Sequence, residues 1–353
     1  MKVFIKTYGC QANIADSEQL AGLLNKNHEI VSSIEDSDLV IVNTCSVKEK
    51  TQNKEINFIK GIPKNKKIFV GGCLSKTLDI RKYKKELDAV FDTNSITKVP
   101  EMINDPKDLF SEEKEHKINI PRIRKEKDTA RIVIQEGCLN KCSFCATKLA
   151  RGNLKSYRIG DIKREVEKSI KEGCKKVYLT GQDLGCYGFD LKTNLPELLD
   201  ELTKIEGEFM IRVGMMNPWH VIKILDSLIE SYKNPKIMKF LHLPVQSGSE
   251  EVLKHMRRIH TVDTFKTIIK KFREEIPNVD IDSDIIVGYP KESEKDFNQT
   301  LSLIKEIKPN VLNISRFAAR PGTEAYNLKR LPTQEVKRRS VLADKIFKEI
   351  KKN

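Results

Sequence analysis

Short apolar runs rich in β-branched residues alternate with amphipathic segments along the whole chain. That alternation predicts βα units on parallel sheet and excludes all-β and simple helical-bundle folds. In the first hundred residues strands are expected at "KVFIKT", "DLVIVNT", "KKIFVGG" and "AVFDT". Helices are expected at "DSEQLAGLLNK", "VKEKTQNKEINFIKG", "SKTLDIRKYKKEL" and near "ITKVPEMIN". Residues 1–110 thus form an open parallel-sheet α/β domain. The apolar-poor stretch "SEEKEHKINIPRIRKEKD", residues 111–128, is expected to be a linker. The pattern restarts over residues 129–332 with strands at "ARIVIQE", "KVYLTG", "FMIRVGMM", "IMKFLHLPV", "VDIDSDIIVG" and "VLNISRF". Six βα units with right-handed crossovers predict a partial (β/α)6 barrel of TIM type. Residues 333–353 read as a basic C-terminal helix.

Apolar residues at 39% and charged residues at 32% of 353 residues suit a soluble globular protein with room for two domains. No apolar run reaches the length of a membrane span, and the N-terminus lacks a signal-peptide pattern, so no membrane association and a cytoplasmic location are expected. A formal net charge of +14 points to a polyanionic partner, with nucleic acid first. A lysine-rich solvated surface would give the same charge.

In a reducing compartment eight cysteines point to metal binding or catalysis before disulfides. Cys10, Cys45 and Cys73 each fall just beyond an expected strand. In an open parallel sheet those strand ends share one edge, where ligands bind. The alternative is three buried structural cysteines, which belong inside elements instead of in successive loops. Cys138, Cys142 and Cys145, spaced C-x3-C-x2-C, follow the first strand of the second half. Structural zinc takes four ligands, whereas three thiolates on a four-iron cluster leave one iron open. Cys174 is placed in or just after a helix and Cys186 in a loop, neither as a ligand.

With Phe144 before the last cysteine, this spacing resembles the radical S-adenosylmethionine enzymes. "YGCQANIADSEQLAGLL", "LVIVNTCSVKEK", "VGGCLSK", "EGCLNKCSFCATKLARG", "LHLPVQSGSEEVLKHMRR", "DSDIIVGYPKESEKDF" and "RFAARPGTEAY" stand in one order across nearly the whole chain. Together they resemble the two-cluster methylthiotransferases. Within that family "LTGQDLGCYGFD" is similar to the archaeal and eukaryotic branch acting on N6-threonylcarbamoyladenosine in tRNA. The resemblance implies a radical-generating [4Fe-4S] cluster on Cys138, Cys142 and Cys145. It implies an auxiliary [4Fe-4S] cluster, carrying the sulfur to be transferred, on Cys10, Cys45 and Cys73. One S-adenosylmethionine would supply the methyl group and another the radical that activates C2 of the modified adenine at tRNA position 37. Gly181, Gln182 and Asp183 match the place where these enzymes hold the methionyl amino group. Gln246 and Ser247 would meet the ribose or carboxylate, and the backbone from Ile286 to Gly288 would lie along adenine.

The implied partners are the tRNA anticodon stem-loop, a reducing electron donor and a sulfur source. Arg151, Arg158, Arg257, Arg258, Arg316 and Arg320 are candidate phosphate contacts. Ser249 is expected to cap a helix, with Glu250 and Glu251 in its first turn, and Asp16 and Ser17 to open the first helix. His242 either faces the pocket or is a satisfied buried histidine. Met215 and Met216 are expected in the core. The family usually continues into a small all-β RNA-binding domain, and such a domain is expected to be absent here. Other possible substrates are another modified adenosine and an aspartate of a ribosomal protein. A non-catalytic iron–sulfur nucleic-acid-binding protein would leave the barrel motifs unexplained.

Overall fold

A computed structural model describes residues 1–352. The chain divides into two compact units, one of residues 1–138 and 145–180, the other of residues 139–144 and 181 onward.

The first unit runs β1 (Lys2–Thr7), α1 (Gln11–Leu24), β2 (Glu29–Val31), β3 (Leu39–Thr44), α2 (Glu49–Gly61), β4 (Lys67–Gly72), β5 (Ala89–Val90) and α3 (Val99–Met102). It continues with β6 (Thr129–Val133), β7 (Gln135–Glu136), α4 (Ala146–Arg151), β8 (Lys155–Ser156), α5 (Ile159–Lys171) and β9 (Lys176–Thr180). The N-terminal sheet is wholly parallel in the order β2-β1-β3-β4-β5. Its central strand, "LVIVNT", is buried at every position, as a strand covered on both faces must be. Alternate residues feed two cores: Leu39 and Ile41 join Leu20, Leu24, Phe69 and Phe91, while Val40 and Val42 join Ile59, Ile68, Val70 and Leu74. The chain reverses direction across the sheet between β1 and β3, and ligands bind at the carboxyl ends of strands at such a switch.

Four expectations are corrected here. The first helix begins at Gln11, so Asp16 and Ser17 lie within it, both buried, and cap nothing. The short strand β2 was not foreseen. Residues 75–87 form only a single 3-10 turn, Ile80–Lys82, because Arg81 is drawn to Asp108 (2.6 Å) and the Leu87 carbonyl (2.7 Å). The stretch 111–128 is packed, not loose: Lys117 and Ile118 are buried. Gln19 Nε2 donates to the Lys117 carbonyl at 2.6 Å, and Arg122 pairs with Glu165 at 2.7 Å.

The second unit contains α6 (Leu195–Thr203), β10 (Met210–Val213), α7 (Pro218–Val221), α8 (Leu225–Lys233), β11 (Phe240–His242), α9 (Glu250–His255) and α10 (Val262–Glu275). Then follow β12 (Asp280–Val287), α11 (Glu294–Ile307), β13 (Val311–Arg316) and α12 (Thr333–Lys352). Strands β11, β12 and β13 pair in parallel, and β10 joins through a parallel bridge between Ile211 and Ile237. Ser249 caps α9 and Ser293 closes a capping box with Asp296 on α11, each cap contributing roughly 1 kcal/mol. The basic helix α12 is anchored by a buried ion pair, Arg339 Nη1 to Glu292 Oε2 at 2.7 Å.

Candidate functional site

Cys10, Cys45 and Cys73 follow β1, β3 and β4; β1 and β3 flank the switch point and β4 lies beside β3. Asn13 ties their loops together: its Nδ2 donates to the carbonyls of Tyr8 (2.9 Å) and Thr44 (2.8 Å). The Cys73 amide donates to the Thr44 carbonyl at 2.9 Å. Two glycines permit this approach. A Cβ on Gly9, at φ +99°, would stand 2.7 Å from Cys45 Cβ. A Cβ on Gly72, at φ +96°, would stand 2.4 Å from Asn43 Oδ1 and 2.5 Å from the Thr44 carbonyl oxygen. Both sites require glycine on conformational and steric grounds. Gly72→Ala is expected to cost about 1–3 kcal/mol and to lower iron retention, read by thermal unfolding and iron analysis.

All three thiols are free. Burial pushes Cys45 up to about 12, and Cys73 and Cys10 beside it add to the rise. Burial likewise pushes Cys73 up to about 11, opposed by the Arg151 guanidinium. The thiols are therefore near enough to feel one another. Metal coordination is the interaction that would hold such a set as thiolates, so the donor set fits an iron–sulfur cluster.

Behind these thiols lies a buried charge array that sequence reasoning missed. Arg151 Nη2 donates to Asp16 Oδ2 at 2.5 Å and to Asn13 Oδ1 at 2.8 Å, and Nη1 donates to Glu136 Oε2 at 2.9 Å. Lys117 Nζ reaches Asp16 Oδ1 at 3.1 Å and also pairs with Glu136. The four charged side chains are each at most 2% exposed. Burial alone would raise the Glu136 carboxyl, but Lys117 and Arg151 overcome it and hold the group down at about 2. A depressed carboxyl stabilises the fold above its ordinary value of 4.5 and loses that contribution as pH falls from there toward 2. Glu136→Gln is therefore expected to flatten the acid limb of the unfolding midpoint across that window while lowering stability at neutral pH.

Cys138, Cys142 and Cys145 occupy the loop between β7 and α4, all partly buried and in no disulfide. Cys145 is the residue before the first turn of α4. The Cys138 amide donates to the Gly152 carbonyl at 3.3 Å, and its own carbonyl accepts from Lys148 Nζ. Cys142 Sγ stands 3.8 Å from Arg258 Nη1. Ser143 is fixed by its amide to the Met256 carbonyl (3.0 Å) and by its hydroxyl beside Tyr289 Oη (2.8 Å). Phe144 packs against Val252, Met256, Tyr289 and Ala325. Three thiols in a pinned loop are a donor set suited to a cluster with one open iron.

Gly181 and Gln182 are half-buried after β9, and Asp183 is buried. The Asp183 carboxylate accepts from the Asn217 amide (2.9 Å) and Asn140 Nδ2 (3.0 Å) and sits 2.8 Å from His220 Nδ1. It thus orients the cysteine loop through Asn140. Gln246, at φ +76°, bridges β12: its amide donates to the Asp284 carbonyl and its carbonyl accepts from the Ile286 amide. The Ser247 hydroxyl is buried against Thr300 Oγ1 and the Ser249 amide, facing helix packing. The space beside Gly288 is filled by Val336, whose Cγ2 would lie 2.6 Å from an added Cβ. On its Cβ side this glycine thus permits the close approach of α12.

His242 Nε2 is paired with Asp284 Oδ2 at 2.8 Å and is satisfied. Met216 is fully buried, whereas Met215 is half-exposed. Cys174 and Cys186 are buried, their thiols directed to the carbonyls of Lys127 and Asp183. Among the candidate phosphate contacts Arg151 and Arg320 are corrected: they are 1% and 6% exposed and cannot meet RNA as surface groups. Arg158, Arg257 and Arg316 are exposed, Arg257 being paired with Glu324 at 3.0 Å and Arg316 bonded to Ser340. Arg258 is half-buried against Cys142 and the Pro244 carbonyl. No helix among the described residues is long and apolar enough to cross a membrane.

Residues 132–304 match the model of the Radical SAM superfamily, and residues 2–92 match that of the Uncharacterized protein family UPF0004. A probable threonylcarbamoyladenosine tRNA methylthiotransferase of Pyrococcus horikoshii is 45% identical over 358 residues, covering 98% of this chain and 84% of that protein. The threonylcarbamoyladenosine tRNA methylthiotransferase of Homo sapiens is 35% identical, covering 98% of this chain and 62% of that protein. In structure, the radical S-adenosylmethionine methyltransferase TsrM of Kitasatospora setae superposes with a TM-score of 0.68 over 92% of this chain and 75% of that one, at 12% identity. That likeness shows the fold alone.

Proposed function

Since the chain belongs to the threonylcarbamoyladenosine tRNA methylthiotransferases, we propose that it divides their reaction between two cysteine sets. Cys138, Cys142 and Cys145 hold the cluster that binds S-adenosylmethionine, and Cys10, Cys45 and Cys73 hold the cluster from which sulfur passes to C2 of the modified adenine. The observation that carries this reading is the second set: three free thiols gathered by Asn13 at the strand ends of a parallel-sheet switch point. When bound, the clusters and S-adenosylmethionine supply the radical and sulfur chemistry that acid–base groups cannot, since a ring C–H bond carries no acidic proton.

The chain's own residues position and shelter. Ser143, Tyr289 and Arg258 fix the Cys142 side of the first loop, and Asp183 fixes Asn140 within it. Cys45 and Cys73, 5% and 4% exposed, shelter the inner side of the sulfur-bearing set, while Cys10 stands at its exposed edge. The tRNA is drawn by the net charge of +14, with Arg158, Arg257 and Arg316 among the groups open to phosphate on the anticodon stem-loop. A one-electron reductant and a sulfur source complete the reaction as outside partners.

Incubation with S-adenosylmethionine labelled in its methyl group, a reductant, tRNA bearing threonylcarbamoyladenosine, and ribosomal proteins tests the substrate. Label is expected in the 2-methylthio derivative of that nucleoside. Label on an aspartate of a ribosomal protein would replace this reading with the protein-modifying one.

A further inference from the structure

Arg151 lies where a cation is costly unless its surroundings require it. Its side chain is 1% exposed, and stripping a guanidinium of water costs several kcal/mol unless partners replace that water. Part of the replacement is Asp16 and Glu136, which with Lys117 make a buried set of two acids and two bases. Two carboxylates against Lys117 and Arg151 sum to zero, so ion pairing alone would be served by a site turned away from the cysteines. Instead the same Nη2 that pairs with Asp16 also donates to Asn13 Oδ1 at 2.8 Å. That oxygen accepts from Cys73 Sγ at 3.7 Å, and the guanidinium opposes the upward push that burial gives the Cys73 thiol. Asn13 is also the residue whose amide nitrogen joins the loops after β1 and β3. The positive group is thus aimed at the three thiols through the residue that gathers them.

The position of Arg151 in the chain adds a second element. It is the last residue of α4, and Cys145 stands immediately before the first. A helix of that length spans about 9 Å at 1.5 Å per residue. One short rigid element therefore carries a ligand of one cysteine set at its N-terminal end and a contact to the other at its C-terminal end.

Resting on the two-cluster reading above, we propose that Arg151 is a positioning residue for the auxiliary cluster. Its planar fork holds Asn13 against Cys73, its charge raises the potential of the cluster there, and through α4 it fixes the separation of Cys73 from Cys145. Hydrogen bonds to ligand sulfurs and a nearby positive charge both favour the reduced, more negative state of a cluster.

The test is a redox titration followed by electron paramagnetic resonance, in a chain whose Cys138, Cys142 and Cys145 are alanine so that the auxiliary cluster alone is seen. Two further changes are compared in that background. Arg151→Lys keeps the charge and the pairing with Asp16 and Glu136 but loses the planar fork. Arg151→Met with Asp16→Asn removes the donor while the buried set stays neutral. Arg151→Lys is expected to shift the midpoint to a more negative value, and the double variant to shift it further, with iron retained. An unmoved midpoint in Arg151→Lys at full iron content overturns the role of Arg151 and leaves the two-cluster reading intact. A background chain that binds no iron overturns that reading, and the role of Arg151 with it.

Discussion

With Cys10, Cys45 and Cys73 all changed to alanine, the chain is expected to cleave S-adenosylmethionine to 5′-deoxyadenosine and to form no methylthiolated nucleoside. The reason is that the two thiol sets stand on different loops. The three changed residues stand at the ends of β1, β3 and β4. The loop holding Cys142 is fixed by contacts of its own, through Ser143, Tyr289 and Arg258. Sulfur transfer should be lost completely because the cysteines outside both sets, Cys174 and Cys186, are buried with their thiols directed to backbone carbonyls. Chromatography of the nucleosides and of the adenosine by-product from one reaction reads both quantities.

The reciprocal variant, with Cys138, Cys142 and Cys145 changed to alanine, is expected to lose both products entirely. The two cysteines outside both sets, Cys174 and Cys186, are buried with their thiols directed to backbone carbonyls, so no second thiolate set replaces the lost one, and one-electron cleavage of S-adenosylmethionine stops. The folded core should survive, since these cysteines are only partly buried. Unchanged thermal unfolding together with absent products separates loss of chemistry from loss of fold.

Much of this was legible in the sequence, for reasons that differ from residue to residue. Strands with continuous β-branched runs, such as "LVIVNT", are buried on both faces and announce themselves. Because the strands are parallel, a cysteine one residue beyond each strand is bound to arrive at a common edge. The three could thus be grouped although they are far apart in sequence. Residues 75–87 misled because their lysines and leucines mimic a helical stripe, while the chain is in fact pinned by Arg81. Asp16 looked like a cap because a short acidic residue opened the apolar run, and the true start at Gln11 follows from Gly9 and Cys10 leaving the sheet.

The array of Asn13, Asp16, Lys117, Glu136 and Arg151 had no sequence signal at all. Its members come from one helix, an irregular stretch, a two-residue strand and another helix, and no period links them. Arg151 was read as a candidate phosphate contact, and Lys117 is one of 64 basic residues with nothing in the sequence to mark it. Only burial shows that they are partners of two carboxylates. The same limit applied to Gly288, whose need for glycine comes from Val336, a residue on a helix distant in sequence.

The most direct measurement of the two-cluster claim is iron and acid-labile sulfide per chain, made anaerobically on the wild-type protein and on both triple-cysteine variants. The wild type is expected to bind twice the iron of either variant, each variant keeping one four-iron cluster. A wild-type content no greater than that of one triple variant would contradict the assignment of six cysteines to two clusters.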